Sequence, residues 1–439
     1  MNLKKVLLIT YYWPPSGGAG VQRMLKFAKY LPSYGFSPIV LTVDESQASY
    51  SFHDNSFLKD IPEECSVVRT STFELFNLYK TINGKKEIPH SGFANESNPG
   101  LLQLVSRFIR GNFFVPDARK GWNRFAFKKA CEIIEKENIE TVITSSPPHS
   151  TQLIGLKLKK KYKIQWIADL RDPWTDIYYY KQMFHLPIIK RYDKYLERKV
   201  LEGADNLLVV SNDIRELFAS KSRFDIFDKI QILPNGFDED DFDASINPDL
   251  SFFTITYTGT LADSYPIDSF LNAYKRIISK YEDVKFRFRY FGKPSENLFH
   301  KIKKLDLLDN FVLEGYVSHN ESVNSLLKSN ILLLIIPDVE KNKGILTGKL
   351  FEYLGSCRKI LCIGPVDGDA AKIIQECSAG KTFGYDDEEN LFCYLVDLIN
   401  DWKLGNVDSF GDQSVLKYSR KVLTGKLAES IILNPSGIK

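Results

Sequence analysis

The chain has 439 residues, with 58 Lys and Arg against 55 Asp and Glu, a formal net charge of +3 with His neutral. This length allows two or three domains of about 150 residues, and 44% hydrophobic with 26% charged residues fits a folded globular protein. Near-balanced charge excludes a dedicated nucleic-acid binder, which needs a basic excess or stripe, and the composition excludes collagen-like, fibrous and disulfide-scaffold chains.

Met1 to Thr10 starts basic and turns apolar, but the apolar stretch is short and meets Tyr11-Tyr12-Trp13-Pro14-Pro15 without a small-residue cleavage site. It reads as a first buried strand, Lys5–Tyr11, rather than a signal peptide. Val21, Met24, Leu25, Ala28 and Leu31 then recur at helical spacing and describe one apolar face. Further strands are predicted at Pro38–Val43, Val67–Thr70, Thr141–Ser145, Gln165–Leu170, Asn206–Ser211 and Gln231–Leu233. Residues 45–125 break the alternation. Rich in aromatic, polar, Gly and Pro residues, they are expected to form an irregular insertion of loops and short helices that builds a specificity surface.

The turn-rich acidic stretch from Pro234 to Asp243 reads as a solvated linker. A second strand series follows at Phe253–Tyr257, Lys285–Tyr290, Phe311–Leu313, Ile331–Ile336, Lys359–Ile363 and Thr382–Tyr385. Ser318-His319-Asn320-Glu321 forms a capping box before the helix that precedes Ile331. Strands alternating with helix-period stretches imply parallel sheets with crossover helices. The fold class is therefore α/β, with two Rossmann-like doubly wound domains at 1–235 and 251–410, a linker at 236–250 and a final segment at 411–439. No run approaches the roughly 20 apolar residues of a membrane span.

Cys65, Cys131, Cys357, Cys362, Cys377 and Cys393 form no Cys-x-x-Cys pair and no zinc-spaced cluster with His. Reduced thiols in a cytoplasmic protein are expected.

Four segments carry candidate chemistry. Ser16-Gly17-Gly18-Ala19-Gly20 lies between the first strand and its helix, where glycines admit a ligand to the backbone and the helix start offers N–H groups to an anion. The Gly-x-Gly-x-x-Gly spacing is absent, so a tight turn without ligand remains open. Ser145-Ser146-Pro147-Pro148-His149 and Asp169-Leu170-Arg171-Asp172-Pro173-Trp174 follow consecutive strands, at the sheet edge where α/β proteins bind ligands. A packed His149 and a loop-holding ion pair are the plain alternatives. Tyr257-Thr258-Gly259-Thr260-Leu261 is a second possible phosphate cradle, or an ordinary turn. The most informative segment runs from Gly344 to Ser356. Thr347-Gly348 opens a helix, Lys349 adds a cation to its first turn, and Glu352 lies about one turn further on the same face. A solvated Lys–Glu pair is the alternative there, yet a lysine is unfavourable at a helix start unless it serves an anion.

Together these segments resemble glycosyltransferase family 4, the group 1 glycosyltransferases of bacterial cell-surface polysaccharide synthesis. The likeness also includes Tyr11-Tyr12-Trp13-Pro14-Pro15-Ser16-Gly17-Gly18, Pro234-Asn235-Gly236, Glu314-Gly315-Tyr316-Val317 and Gly348-Lys349-Leu350-Phe351-Glu352-Tyr353-Leu354-Gly355. It implies a GT-B architecture with the active site in a cleft between two domains. The first domain would bind the acceptor, the second the nucleotide sugar, and a helix within Gln413 to Ile432 would cross back. It further implies retaining transfer to a glycan or lipid-linked acceptor, with no cofactor beyond the donor substrate.

Carried over by residue, Glu352 matches the acid that holds the donor ribose. Lys349, with the amides of Thr347 and Gly348 and the adjoining Leu350, would hold the diphosphate. Gly259 and Thr260 match the glycine-rich turn beside it, Gly315, Tyr316 and Val317 the base pocket, and Gly17 and Gly18 a loop facing the donor phosphates. Arg171 and Asp172 fall where many relatives carry a His that touches the transferred sugar, and His149 and Trp174 lie on the acceptor side. Lys349, Arg171 and Asp172 are the catalytic candidates.

The chain departs from the family where the first acid of the Glu-x7-Glu motif would fall, at Gly344. Thr260 replaces a frequent Arg, and no downstream Lys stands in 262–266. No Asp-x-Asp pair sits at a strand end, so no metal is expected. A sugar-nucleotide 2-epimerase and a non-catalytic nucleotide-sugar-binding partner of an assembly complex are the competing readings. Leu104 to Trp122 interleaves aromatics with Arg107, Arg110, Arg119 and Lys120, and is expected either to touch the inner face of the cytoplasmic membrane or to place Phe108, Ile109, Phe113 and Phe114 in a core.

Overall fold

The computed structural model describes residues 3–50, 53–73, 101–262, 264–292, 294–406 and 413–433. The chain divides into two compact units, Met1–Asn235 with Arg420–Lys439, and Gly236–Ser419.

The first unit holds a seven-stranded sheet in the order β3-β2-β1-β4-β5-β6-β7. Its strands are β1 Lys4–Ile9, β2 Phe36–Val43, β3 Ser66–Thr70, β4 Thr141–Ser146, β5 Gln165–Leu170, β6 Asn206–Val209 and β7 Ile230–Ile232. Its helices are α1 Ala19–Tyr30, α2 Leu101–Phe113, α3 Asn123–Glu137, α4 Ser150–Lys161, α5 Pro187–Gly203 and α6 Asn212–Lys221. All neighbouring strands are parallel, and Leu7 of β1 stands between Ile39 of β2 and Val142 of β4. The winding direction reverses at β1, between β2 and β4.

β1 is a nearly continuous apolar run because helices cover both faces of the sheet. Val6 and Leu8 pack with Val21, Met24 and Leu25 of α1, whereas Leu7 and Ile9 pack with Ala130 and Ile134 of α3 and Ile154 and Leu158 of α4. Each of these four β1 side chains is fully buried, contributing about 1.5–3 kcal/mol of transfer free energy.

The second unit repeats the plan in a six-stranded parallel sheet, ordered β10-β9-β8-β11-β12-β13. Its strands are β8 Phe253–Thr258, β9 Phe286–Phe291, β10 Phe311–Gly315, β11 Ile331–Ile335, β12 Lys359–Ile363 and β13 Gly380–Phe383. The helices are α7 Asp268–Lys280, α8 Glu296–Lys304, α9 His319–Leu327, α10 Gly348–Gly355, α11 Asp369–Glu376 and α12 Glu388–Lys403. On β11, Ile331, Leu333 and Ile335 enter the cluster that includes α7 and α12, while Leu332 and Leu334 enter the one that includes α10 and α11. The Ser318–Glu321 capping box is present at α9. Here the reversal falls at β8, between β9 and β11.

The C-terminal helix Arg420–Leu433 joins the first unit. Leu423, Leu427 and Ile431 enter the α1 cluster, and Tyr34 donates a hydrogen bond to the Lys421 carbonyl at 2.9 Å. Gly425 permits this approach, because a Cβ there would stand 3.0 Å from the Tyr34 ring.

Two segments differ from expectation. Residues 236–250 group with the second unit instead of standing free. Phe237 packs in the α10 cluster, its N–H donates to the Tyr418 carbonyl at 3.1 Å, and Asp238 is buried. The aromatic residues, invisible to an acidity-based reading, anchor that stretch. Within 45–125 the expected strand at Val67–Thr70 is present as β3, but α2 is a thirteen-residue helix rather than a short one; residues 74–100 of that expected insertion lie outside the described residues.

One long-range tie was not evident from local pattern. The Arg23 side chain on α1 is fully buried and pairs with Asp169 at the end of β5, with nitrogen–oxygen distances of 2.8 to 3.1 Å. A further Arg23 nitrogen donates to the Pro234 carbonyl at 2.8 Å, and Ser145 of β4 donates to Asp169 at 2.8 Å. Arg23→Ala should leave Asp169 buried without its counter-ion and destabilise the protein by about 3–5 kcal/mol. Urea denaturation measures this; a loss below about 1 kcal/mol would show that the pair does not hold the unit together.

Candidate functional site

In the second unit the reversal at β8 brings two of the sequence candidates into contact. β8 ends at Thr258, and Gly259 follows with φ +101, a conformation that side-chain-bearing residues rarely adopt. Lys349, from the first turn of α10, reaches across to this turn. A Cβ on Gly259 would stand 2.5 Å from Lys349 Cε and 2.9 Å from Nζ, so a larger residue would strain the turn and push the lysine end aside.

Lys349 Nζ donates to the Tyr257 hydroxyl at 2.7 Å and lies 4.3 Å from the centre of that ring. Tyr265 contributes a second ring at 5.9 Å. Among the described residues no carboxylate stands within ion-pair distance of this ammonium. Burial pushes its pKa down to about 7, against a smaller upward pull from Glu352. A solvated Lys–Glu pair is therefore not what the fold builds.

Tyrosines that carried no signal in the sequence hold this turn. Tyr257 Oη donates to the Thr260 carbonyl at 3.1 Å, Tyr290 Oη accepts from the Leu261 N–H at 3.1 Å, and Tyr353 Oη accepts from the Thr258 N–H at 3.1 Å. Tyr257 and Tyr290 stack with ring centres 5.4 Å apart. Their uniform apolar burial makes them look like core in one dimension; only the three-dimensional placement of the hydroxyls shows their positioning role.

Gly292 was also missed. Gly259 N–H donates to the Phe291 carbonyl and Gly292 N–H to the Gly315 carbonyl, both at 2.7 Å. A Cβ on Gly292 would meet the Gly259 carbonyl oxygen at 2.5 Å. Three adjacent strands thus end in bare backbone, at Gly259, Gly292 and Gly315. Tyr316 beyond them is 72% exposed, a flat ring beside an open edge.

Thr347 precedes α10 in an extended conformation, but its side chain does not cap the helix. Its Oγ1 is buried and finds no hydrogen-bond partner among the described residues. The loop before it is held by Tyr385, whose hydroxyl donates to the Pro337 carbonyl at 3.1 Å and accepts from Asn342 at 2.9 Å. Leu350 is core, behind the helix start. Glu352 lies 3.9 Å from His319 Nδ1, and the other His319 nitrogen lies 3.3 Å from Asp241. Asp241 is thus engaged within the second unit, where the sequence suggested a solvated linker carboxylate.

In the first unit, the remaining candidates gather at the carboxyl ends of β1, β4 and β5. Gly17 and Gly18 form the turn before α1, and Gly18 has φ +89 with open space where a Cβ would be. Gly20 lies within 4.0 Å of both Tyr12 and the Arg171 guanidinium, measured from an added Cβ. Arg171 donates to the Ser146 carbonyl at 3.0 Å, and burial lowers its pKa. Burial raises that of Asp172, partly offset by Arg171.

His149 stacks on Trp174 at 4.7 Å, and burial, then Lys221 and Arg171, press its pKa down to about 3. It is a neutral ring on a rigid indole rather than a charged base. Trp174 donates to Asp193 at 3.0 Å, and Tyr180 donates to the same buried carboxylate at 2.9 Å. The buried Glu197, one turn further on α5, accepts from Thr175 Oγ1 at 2.6 Å and Lys221 at 2.7 Å. These two α5 acids hold the loop after β5.

Both groups thus lie where a doubly wound sheet reverses its order, the place where α/β folds leave a ligand crevice. Residues 89–241 match the model of Glycosyltransferase Family 4. A glycosyltransferase from Rickettsia africae superposes with TM-score 0.62 at 15% identity, covering 99% of this chain and 100% of that one. This is the GT-B fold. Sucrose-phosphate synthase from Thermosynechococcus elongatus shares it at TM-score 0.62 and 12% identity, over 98% of this chain and 99% of that one. Anabaena HepE in complex with UDP does so at 0.61 and 11%, over 98% and 100%. No curated protein matches the sequence. Among the described residues, no helix is long and apolar enough to cross a membrane.

The Lys349 environment has a measurable consequence within this GT-B unit. An ordinary lysine titrates near 10.4, so between about pH 7 and 10 the unfolded chain holds a proton that the folded chain has released. Wild-type stability should rise with pH across that window. Lys349→Met should be more stable than wild type at pH 6, and its advantage should shrink by pH 9. Urea midpoints at the two pH values measure this; a constant difference would place the ammonium in water.

Proposed function

We propose that the chain is a retaining glycosyltransferase that moves a sugar from a nucleoside-diphosphate donor to a glycan or lipid-linked acceptor in bacterial cell-surface polysaccharide synthesis, working peripherally at the inner face of the cytoplasmic membrane. The observation that carries this reading is the Lys349 ammonium, without a carboxylate partner among the described residues, set on the Gly259 turn at the start of α10. A desolvated cation beside free helix N–H groups is matched to an anion rather than to water. The fold neighbours include HepE crystallised with UDP, which supports a nucleoside diphosphate as that anion.

In the proposed reaction the bond between the sugar anomeric carbon and the diphosphate oxygen breaks, and a new bond forms to the acceptor oxygen. The acceptor proton passes to the departing phosphate oxygen, on the same face of the sugar, so the configuration is kept. Negative charge grows on the diphosphate as the bond lengthens. Lys349 and the amides of Thr347 and Gly348 stabilise it without reorganising, work that a divalent metal performs in other transferases. Glu352 accepts hydrogen bonds from the ribose, and the glycine edge at 259, 292 and 315 lets the nucleotide lie against backbone.

Loss of the Lys349 contact removes about 2–4 kcal/mol of transition-state stabilisation. Lys349→Ala should therefore lower kcat/KM by about 30- to 1000-fold, measured as sugar transfer or donor hydrolysis. UDP binding to wild type should also take up a proton at pH 8, seen by calorimetry in buffers of different ionisation enthalpy, because the diphosphate favours the charged ammonium. An unchanged kcat/KM with no proton uptake would remove this assignment. Transfer should persist in EDTA; activity abolished by the chelator and restored by Mg²⁺ or Mn²⁺ would contradict metal independence.

A further inference from the structure

The segment from Leu104 to Trp122 does not place Phe108, Ile109 and Phe113 in a core, the second of the two sequence expectations. Its arginines turn inward: Arg107 and Arg119 are buried, and Arg119 donates to the Ser49 carbonyl at 3.1 Å and lies over the Tyr11 ring. Its apolar residues turn outward. Val105, Phe108, Ile109 and Phe113 on α2 are 48%, 38%, 44% and 67% exposed.

α2 packs against a neighbouring loop of the same unit. Asn112, nearly buried, donates to the Phe184 carbonyl at 3.1 Å and accepts from the Leu186 N–H at 2.7 Å. Gly111 lets the loop close in, since a Cβ there would meet the Met183 carbonyl oxygen at 2.4 Å. That loop and the start of α5 expose Phe184, Leu186 and Ile188, the last 73% open. Six or more large apolar side chains therefore share one joined surface, more than scattered exposure on a soluble protein explains.

Within these two described segments the exposed charges are positive. Lys120, Lys181, Lys190, Arg191 and Lys194 are exposed. Between 101 and 131 the sole acid is Asp117, which is engaged by Ser150. Between 178 and 196 the sole acid is Asp193, which is buried. Aromatic and aliphatic side chains flanked by these Lys and Arg residues match a bilayer surface with anionic headgroups, where the rings enter the interface and the cations meet phosphate. A second copy of the chain would set these cations against each other.

We propose that the joined face of α2, the 181–188 loop and the start of α5 docks on an anionic lipid surface. This deepens the reading of a lipid-linked acceptor, and rests on it, by naming the surface through which the first unit meets the membrane.

Flotation of the full chain with vesicles tests this. Wild type should float with vesicles containing phosphatidylglycerol at low salt, should be released at high salt, and should not float with phosphatidylcholine alone. Phe184→Ser with Ile188→Ser, and separately Lys190→Glu with Arg191→Glu and Lys194→Glu, should each weaken binding by about tenfold or more. Both variants should keep wild-type UDP affinity in solution, which reports folding and keeps the docking test apart from the donor-site reading. No flotation at low salt, or equal flotation of wild type and both variants, would overturn the proposal. So would a concentration-dependent dimer in sedimentation that the same substitutions abolish, which would assign the face to a second copy.

Discussion

A parallel sheet wound outward from its middle sends its crossover helices to opposite faces, and at the reversal no helix covers the ends of the two central strands. That constraint acts once in each unit, at β1 and β4 and again at β8 and β11. The backbone at these ends must be satisfied by turns, side chains or a ligand. In the second unit the solution is a row of strands ending in glycine, where Gly259 N–H donates to the Phe291 carbonyl and Gly292 N–H to the Gly315 carbonyl. A surface of this kind has no side chains of its own to fill space, so it accepts a flat ligand and discriminates through the residues that frame it.

Two cations show how differently the fold can treat positive charge. Arg23 meets a carboxylate in a bidentate pair and a carbonyl, so its charge is compensated within the protein and it ties α1, β5 and the end of the first unit together. Lys349 is only half-buried, yet desolvation still lowers its pKa, and its neighbours are a neutral hydroxyl, an aromatic face and an acid one turn away. The depressed pKa is the measure of that incomplete compensation. A structural role would favour the first arrangement, because a hydrogen-bonded pair offsets the desolvation of both partners. The second leaves room for a ligand to supply the missing negative charge.

The architecture was legible because it rests on local signals. Apolar runs with turn residues between them mark strands, and the same runs show that both sheet faces are covered. The Thr347–Lys349 helix start and the Gly259 turn were legible for a related reason, since glycine and a misplaced cation violate local preference and so carry information. What the sequence hid depends on contacts between distant positions. Arg23 and Asp169 are 146 residues apart. Tyr257, Tyr290 and Tyr353 are indistinguishable from core aromatics until their hydroxyls are seen to converge on 258–261. Residues 236–250 looked like a linker because acidity outweighed two phenylalanines. Along α2, the interleaving of Phe with Arg was visible, but which set faces outward depends on what packs against the helix, and the arginines proved to be the inner set.

The loop after β5 joins these themes within the first unit. Its start carries Arg171 and Trp174, the latter stacked on His149, and its end carries Phe184 and Leu186 on the exposed apolar face. Between them Asp193 accepts hydrogen bonds from both Trp174 and Tyr180, and Tyr180 stacks on His185 at 4.2 Å. Burial raises the Asp193 pKa to about 6 despite those two donors, so the carboxylate is held in place against its own solvation. One buried group therefore fixes the geometry of candidate acceptor-side residues and of the surface beside them. Motion of the exposed end cannot be independent of the site end unless that carboxylate releases one of its partners. A segment tied at this carboxylate suits the proposed acceptor role, because side chains already held by hydrogen bonds lose little further ordering entropy when a ligand meets them.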